Sequence, residues 1–141
     1  MNNQKFIKTL NTILLIVVIV FAGYFIYNKV QTKKAETFRN DCAEFAKIIS
    51  TKLANDDYIV NVGEFNDFEH ETVHSCIHIF NYDETKLSEY EASIYPLIEE
   101  EFANFEFSDR NYDKMRIDIF RSKKTDNGYR GDGVSNKEIA K

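Results

Sequence analysis

The sequence has no tryptophan, one proline, five glycines and two cysteines, and no acidic residue before Glu36. Neither proline nor glycine falls between Gly23 and Asn55, so nothing in that interval interrupts a helix. Neither cysteine lies near the end of the N-terminal apolar run, which excludes a lipoprotein attachment point there. No HExxH, CxxC, P-loop or dinucleotide fingerprint occurs, and no Ser-His-Asp order that would mark a hydrolase. Positive charge is also scarce after the apolar run: from Lys29 onward 16 basic residues face 23 acidic ones, a formal charge of −7. That balance argues against nucleic acid as a partner, because neutralising phosphates takes clustered Lys and Arg. No internal repeat is visible.

What the first 30 positions hold is hydrocarbon. Ile13 to Tyr27, "ILLIVVIVFAGYFIY", carries no charge, and the run extends back to Phe6 with Lys8, Thr9, Asn11 and Thr12 interspersed. Residues 6–27 therefore approach the roughly 20 apolar residues that cross a bilayer, with membrane lipid as their partner. Lys8 can snorkel to the interface, and Tyr24 and Tyr27 fall where an aromatic belt sits. A cleaved secretory signal is the competing reading, with Val20-Phe21-Ala22 as its cleavage site. The apolar run continues through Tyr24-Phe25-Ile26-Tyr27, however, which favours an uncleaved single-pass signal anchor. Lys5, Lys8 and the amino terminus oppose Lys29, Lys33 and Lys34 under the positive-inside rule, close to a draw. The short basic tail and two cysteines placed for pairing tip the expectation. They predict a cytoplasmic (inner) membrane location with the C-terminal domain outside the cytoplasm.

Beyond the anchor, assigned to residues 1–28, the pattern predicts a small α+β domain over 29–121 and a disordered polar tail over 122–141. Phe38, Cys42, Phe45, Ile49 and Leu53 fall four, three, four and four apart, one face of an amphipathic helix. With nothing to break it from the anchor, this helix and the anchor form one rod. "YIVNVGEF" (58–65) and "TVHSCIHIFNY" (72–82) read as two antiparallel strands joined at Asn66-Asp67. Asp83 to Phe105 reads as a helix with Leu87, Tyr90, Ile94, Leu97 and Ile98 inward, and Pro96 is expected to kink or split it. In "DKMRIDIFR" (113–121) Met115, Ile117 and Ile119 alternate with Arg116, Asp118 and Phe120, a half-buried strand. The expected architecture is an N-terminal transmembrane helix followed by an amphipathic helix packed on a small antiparallel sheet.

The chemistry-bearing stretch is "EHETVHSCIHIF" (69–80), which holds all three histidines, His70, His74 and His78, together with Cys76. Strand alternation puts His74, Cys76, His78 and Phe80 on one face, with Val73, Ser75, Ile77 and Ile79 on the other. Three readings follow. Cys42 and Cys76 form a disulfide, which would constrain a loop of about 35 residues and stabilise the fold by about 3–4 kcal/mol. Alternatively His74, Cys76 and His78 ligate zinc, lacking a fourth ligand in sequence, or the three imidazoles form a pH sensor. The disulfide is the reading carried forward, and no cofactor is expected. It leaves one conflict, since Cys76 falls on the face opposite Val73, Ile77 and Ile79.

Smaller motifs add little. Arg130-Gly131-Asp132 spells an integrin tripeptide, Asp126-Asn127-Gly128 lacks the alternating oxygen ligands of a calcium loop, and Glu99-Glu100-Glu101 reads as a solvated helix face. The first 60 residues, a hydrophobic helix running into an amphipathic one ahead of a sheet, resemble the layout of type IV pilins and pseudopilins. The approach "NNQKFIKTLNTILL" departs from that family, having neither the glycine before the mature start nor the glutamate five residues in. The sequence thus predicts a membrane-anchored protein presenting an acidic domain for protein–protein binding, in an envelope, secretion, immunity or phage-related accessory role. A metal-dependent enzyme or metal-binding protein on the His/Cys strand, and a pilin-like structural subunit that self-associates through its N-terminal helix, are the alternatives.

Overall fold

The computed structural model describes residues 3–67, 70–108 and 112–141. Its elements are α1 (Asn3–Leu53), β1 (Tyr58–Asp67), β2 (His70–Ile79), a 3-10 turn (Glu84–Lys86), α2 (Leu87–Asn104), β3 (Lys114–Thr125) and β4 (Gly128–Ala140). They divide into two compact units, Met1–Thr37 and Phe38–Lys141.

The first unit is helical, and its side chains from Ile7 to Val30 are exposed. With no proline, α1 is unbroken over 51 residues, and Thr12, Thr32, Thr37 and Thr51 fold their hydroxyls back onto carbonyls four residues earlier. Its span from Ile7 onward is long and apolar enough to cross a membrane. At its other end Ala54 takes a left-handed conformation (φ 44°) and its N–H donates to the Ser50 carbonyl at 3.0 Å. A turn over Asn55–Tyr58 follows, closed by Tyr58 N–H to the Asn55 carbonyl and Asp57 N–H to Asn55 Oδ1.

The second unit packs helices on one face of a four-stranded sheet. From α1, Phe38, Cys42, Phe45 and Ile49 are buried, the face that their spacing predicts. Ile94, Tyr95, Ile98 and Phe102 of α2 join them over Val60, Val73, Ile77, Met115, Ile117 and Ile119. The segment after α2 closes the core with Phe107, stacked on Phe38 at 6.0 Å, and Tyr112, tilted against the same ring at 5.3 Å. The buried Asp41 carboxylate pins that segment by accepting from Ser108 N–H (2.6 Å) and Oγ (3.1 Å).

Several expectations need correction. The fold is α+β, but the sheet is mixed: order β1-β2-β3-β4, with β2 and β3 parallel and the outer pairs antiparallel. α2 supplies the crossover that a parallel pair requires, which a strand–helix–strand order allows and alternation alone does not reveal. Residues 122–141 are no disordered tail. They complete β3 and form β4, whose Ile139 is buried while most of its length is exposed. Ladder hydrogen bonds to β3, rather than apolar content, hold that strand, so a composition-based reading misses it. Pro96 does not split α2, which runs as one helix from Leu87 to Asn104. Pro96 is exposed, so the carbonyl it deprives of a donor lies on the solvent side. The turn expected at Asn66-Asp67 is strand through Asp67.

Candidate functional site

Alternation along β2 delivers what the sequence implies. Val73, Ser75, Ile77 and Ile79 are buried toward the helices, while His74, Cys76 and His78 project from the opposite face, half-buried. The parallel register sets β3 residues beside them: His74 by Arg116, Cys76 by Asp118, His78 by Phe120. This face therefore gathers side chains from strands whose adjacency no sequence spacing announces.

Asp118 is its centre. The carboxylate, 11% exposed, bonds His74 Nε2 through Oδ2. On its other side Arg116 donates from Nε at 3.2 and 3.1 Å and from Nη2 at 3.2 Å. Such a fork suits a planar guanidinium on a carboxylate. Cys76 Sγ lies 3.5 Å from His74 Nε2 and 3.8 Å from Nδ1. Burial pushes the Cys76 thiol up to about 11, with the negative charge of Asp118 adding to it and Arg116 opposing it. At neutral pH the sulfur is thus a protonated thiol and a poor nucleophile. Asp118 and Cys76 also crowd the same ring nitrogen. In a relay the carboxylate holds one nitrogen while the other faces the nucleophile. The group is arranged as a satisfied polar network.

Further along the face, His78 shares a 2.9 Å hydrogen bond between Nδ1 and the buried Ser122 Oγ. Its ring stacks on Phe120 (4.9 Å, 16° between planes) and meets Tyr129 at 4.6 Å. Burial lowers the His78 pKa, so the ring is neutral at pH 7. Tyr129 in turn packs edge-on to Phe80 and accepts a hydrogen bond from the Asn61 amide of β1. Gly131 lets β4 approach closely here, since a Cβ on it would clash with Ser122 Oγ.

The sequence-predicted site residues sort accordingly. His74 and Cys76 are together, His78 is turned to Ser122 and the aromatic pair, and the side chain of His70 lies outside the described residues. Among the described residues no group of three or more His, Cys, Asp or Glu is placed to hold a metal ion. Cys42 and Cys76 form no disulfide. Cys42 sits in the core beneath the helices and Cys76 on the far side of the sheet, so the strand alternation that conflicted with pairing is what prevents it. With the bond goes one argument for an extracytoplasmic domain. Arg116 and Asp118 were visible as the polar half of an alternating strand; Asn61, Ser122 and Tyr129 were not singled out by any signal. The integrin-like tripeptide lies within β4, where Asp132 sits 3.7 Å from Arg121. Asp126-Asn127 is the turn of the β3–β4 hairpin.

Beside this face an open cleft of about 1090 Å³ is rimmed by four carboxylates and four cations, among them Asp57, Asp132, Arg121 and Lys123. Its balanced charge selects no ion of one sign. Fold and site together define a two-layer α+β domain in which, among the described residues, one sheet face carries no helix, preceded by a helix of membrane-spanning length. Comparison with protein-family models, curated proteins and solved structures finds no match to the chain.

Proposed function

We propose that this chain is a single-pass membrane protein that displays its α+β domain outside the cytoplasm for binding to another protein. One observation carries the reading: the exposed large apolar side chains run from Ile7 to Val30 of α1, and in the folded unit only Tyr129 joins them among the described residues. Apolar surface of that extent is stable in lipid and not in water, whereas the domain itself is finished for water. The short basic tail with Lys5 and Lys8 supports a cytoplasmic N-terminus. The polar face around Asp118 supports binding over catalysis, because its groups already satisfy one another. Zinc chemistry on His74, Cys76 and His78 has less support, given that His78 turns to Ser122 and away from the other two. A structural subunit is the second reading, favoured by the unbroken run of α1 from Asn3 to Leu53.

The test is labelling of an exposed cysteine, Lys123→Cys in a Cys76→Ser background, with a membrane-impermeant maleimide. Labelling in intact cells is the expected result. Labelling only after permeabilisation would place the domain in the cytoplasm and overturn the orientation.

A further inference from the structure

We propose that the free edge of β1 pairs antiparallel with β1 of a second copy of this chain, joining two four-stranded sheets into one. β1 ends the sheet, so its backbone is laddered on the β2 side only. On the other side alternate N–H and C=O groups point outward, a template for another strand. Among the described residues, the only backbone bond that β1 makes outside its ladder is Tyr58 N–H to the Asn55 carbonyl, at the strand's first residue.

The two edges of the sheet differ in how they are protected. β4 carries a register shift opposite Ile119/Phe120, glycines at 131 and 133, and charges of both signs at Arg130, Asp132, Lys137 and Glu138. Bulges and edge charges are the usual means of blunting an edge. β1 has no bulge and no basic charge: its register is unbroken from Tyr58 to Asp67, "YIVNVGEFND" contains no proline, lysine or arginine, and its charges are the acidic Glu64 and Asp67 toward one end. Val60 is core, and Tyr58 and Val62 lie half-buried at the core margin on the same face.

The self-complementarity of β1 identifies the second copy as the occupant. An antiparallel partner strand keeps Tyr58, Val60 and Val62 of both copies in one layer, so the two cores become continuous. The acidic residues of β1, Glu64 and Asp67, lie toward one end. Antiparallel pairing sets them against the apolar start of the other copy; parallel pairing would align like with like. The pairing also rests in part on the membrane reading above, since anchored copies share one plane and a high effective concentration.

The experiment uses the full chain in its own membranes, in a Cys76→Ser background with Cys42 left buried. Single cysteines are placed on β1 (Ile59→Cys, Asn61→Cys, Gly63→Cys) and on the β4 edge (Asn136→Cys, Glu138→Cys), then oxidised. A Cβ at Gly63 meets nothing within 4 Å, so that site accepts the change. The expected result is a dimer whose yield peaks at one β1 position and exceeds the β4 yields several-fold. Equal yields on both edges, no dimer from β1, or a β1 adduct to a different protein each overturn the pairing. Ile59→Lys with Gly63→Lys should abolish the dimer, and mixing this variant with the matching Glu variant should restore it, which a misfolded chain could not do. Failure of restoration counts against the proposal. The same lysate is split into membrane and soluble fractions. A soluble chain that still dimerises through β1 sinks the anchor alone, and a membrane-bound chain that does not sinks the pairing alone.

Discussion

At the scale of single residues, Cys76 and His78 on the polar face tie stability to pH in opposite limbs. The Cys76 pKa rises from an ordinary 9.0 to about 11 on folding, mainly through burial. Between those values the folded chain holds a proton that the unfolded chain has released. The stabilisation is therefore complete below pH 9 and is lost as pH rises toward 11. The His78 pKa is lowered from 6.5 by burial, so its contribution is present above 6.5 and is lost as pH falls through the folded value. Urea denaturation against pH should show both limbs; Cys76→Ser should flatten the alkaline one and His78→Asn the acid one. A second residue-scale consequence concerns Ser75, whose fully buried hydroxyl has no hydrogen-bond partner among the described residues. Removing an orphaned polar group from an apolar core should help, so Ser75→Ala is expected to stabilise the domain by about 1 kcal/mol in the same titration.

At the scale of elements, α1 and β2 were legible and the relation between β2 and β3 was not. The spacing of Phe38, Cys42, Phe45 and Ile49 records a helix face directly, and each of the four is buried. β2 likewise shows its two faces in its alternation, with Val73, Ile77 and Ile79 buried and His74, Cys76 and His78 opposite. The end of α1 is a different matter. Asn55-Asp56-Asp57 marks the stop in sequence, but not its geometry: Ala54 adopts a positive φ that glycine adopts without a Cβ penalty. Ala54→Gly should therefore raise stability by about 1 kcal/mol, read as a shift of the urea midpoint. α2 shows the reverse: Pro96 promised a break, and the helix continues because the lost hydrogen bond falls on its exposed side. Tyr95 and Phe102 are buried there in place of Leu87 and Leu97, since the packed core, not the strict period, decides which flank turns inward.

At the scale of the whole molecule, apolar exposure from Ile7 to Val30 sets the expected behaviour. Alkaline extraction should leave the chain with the membrane. Lysines at Val17 and Val20, near the middle of the span, each carry an insertion cost of about 2.5–3.5 kcal/mol and should move much of the chain to the soluble fraction. A chain that resists extraction equally with both lysines would not be held by this segment. The candidate site belongs to this scale too, because it is assembled across strands. His74 and Cys76 were nominated by their spacing. Asp118, which organises them, reaches them only because α2 returns the chain parallel to β2.

Local periodicity was sufficient for the apolar span, the amphipathic half of α1, the strand character of β1, β2 and β3, and the two faces of β2. Hydrophobic spacing depends only on the geometry of one element. Tertiary structure alone decided the mixed sheet, the strand made by the polar C-terminal residues, the absence of a Cys42–Cys76 bond and the network around Asp118. Those features depend on which backbones share ladders and on which side of a sheet each side chain stands, and both are set by packing between distant parts of the chain.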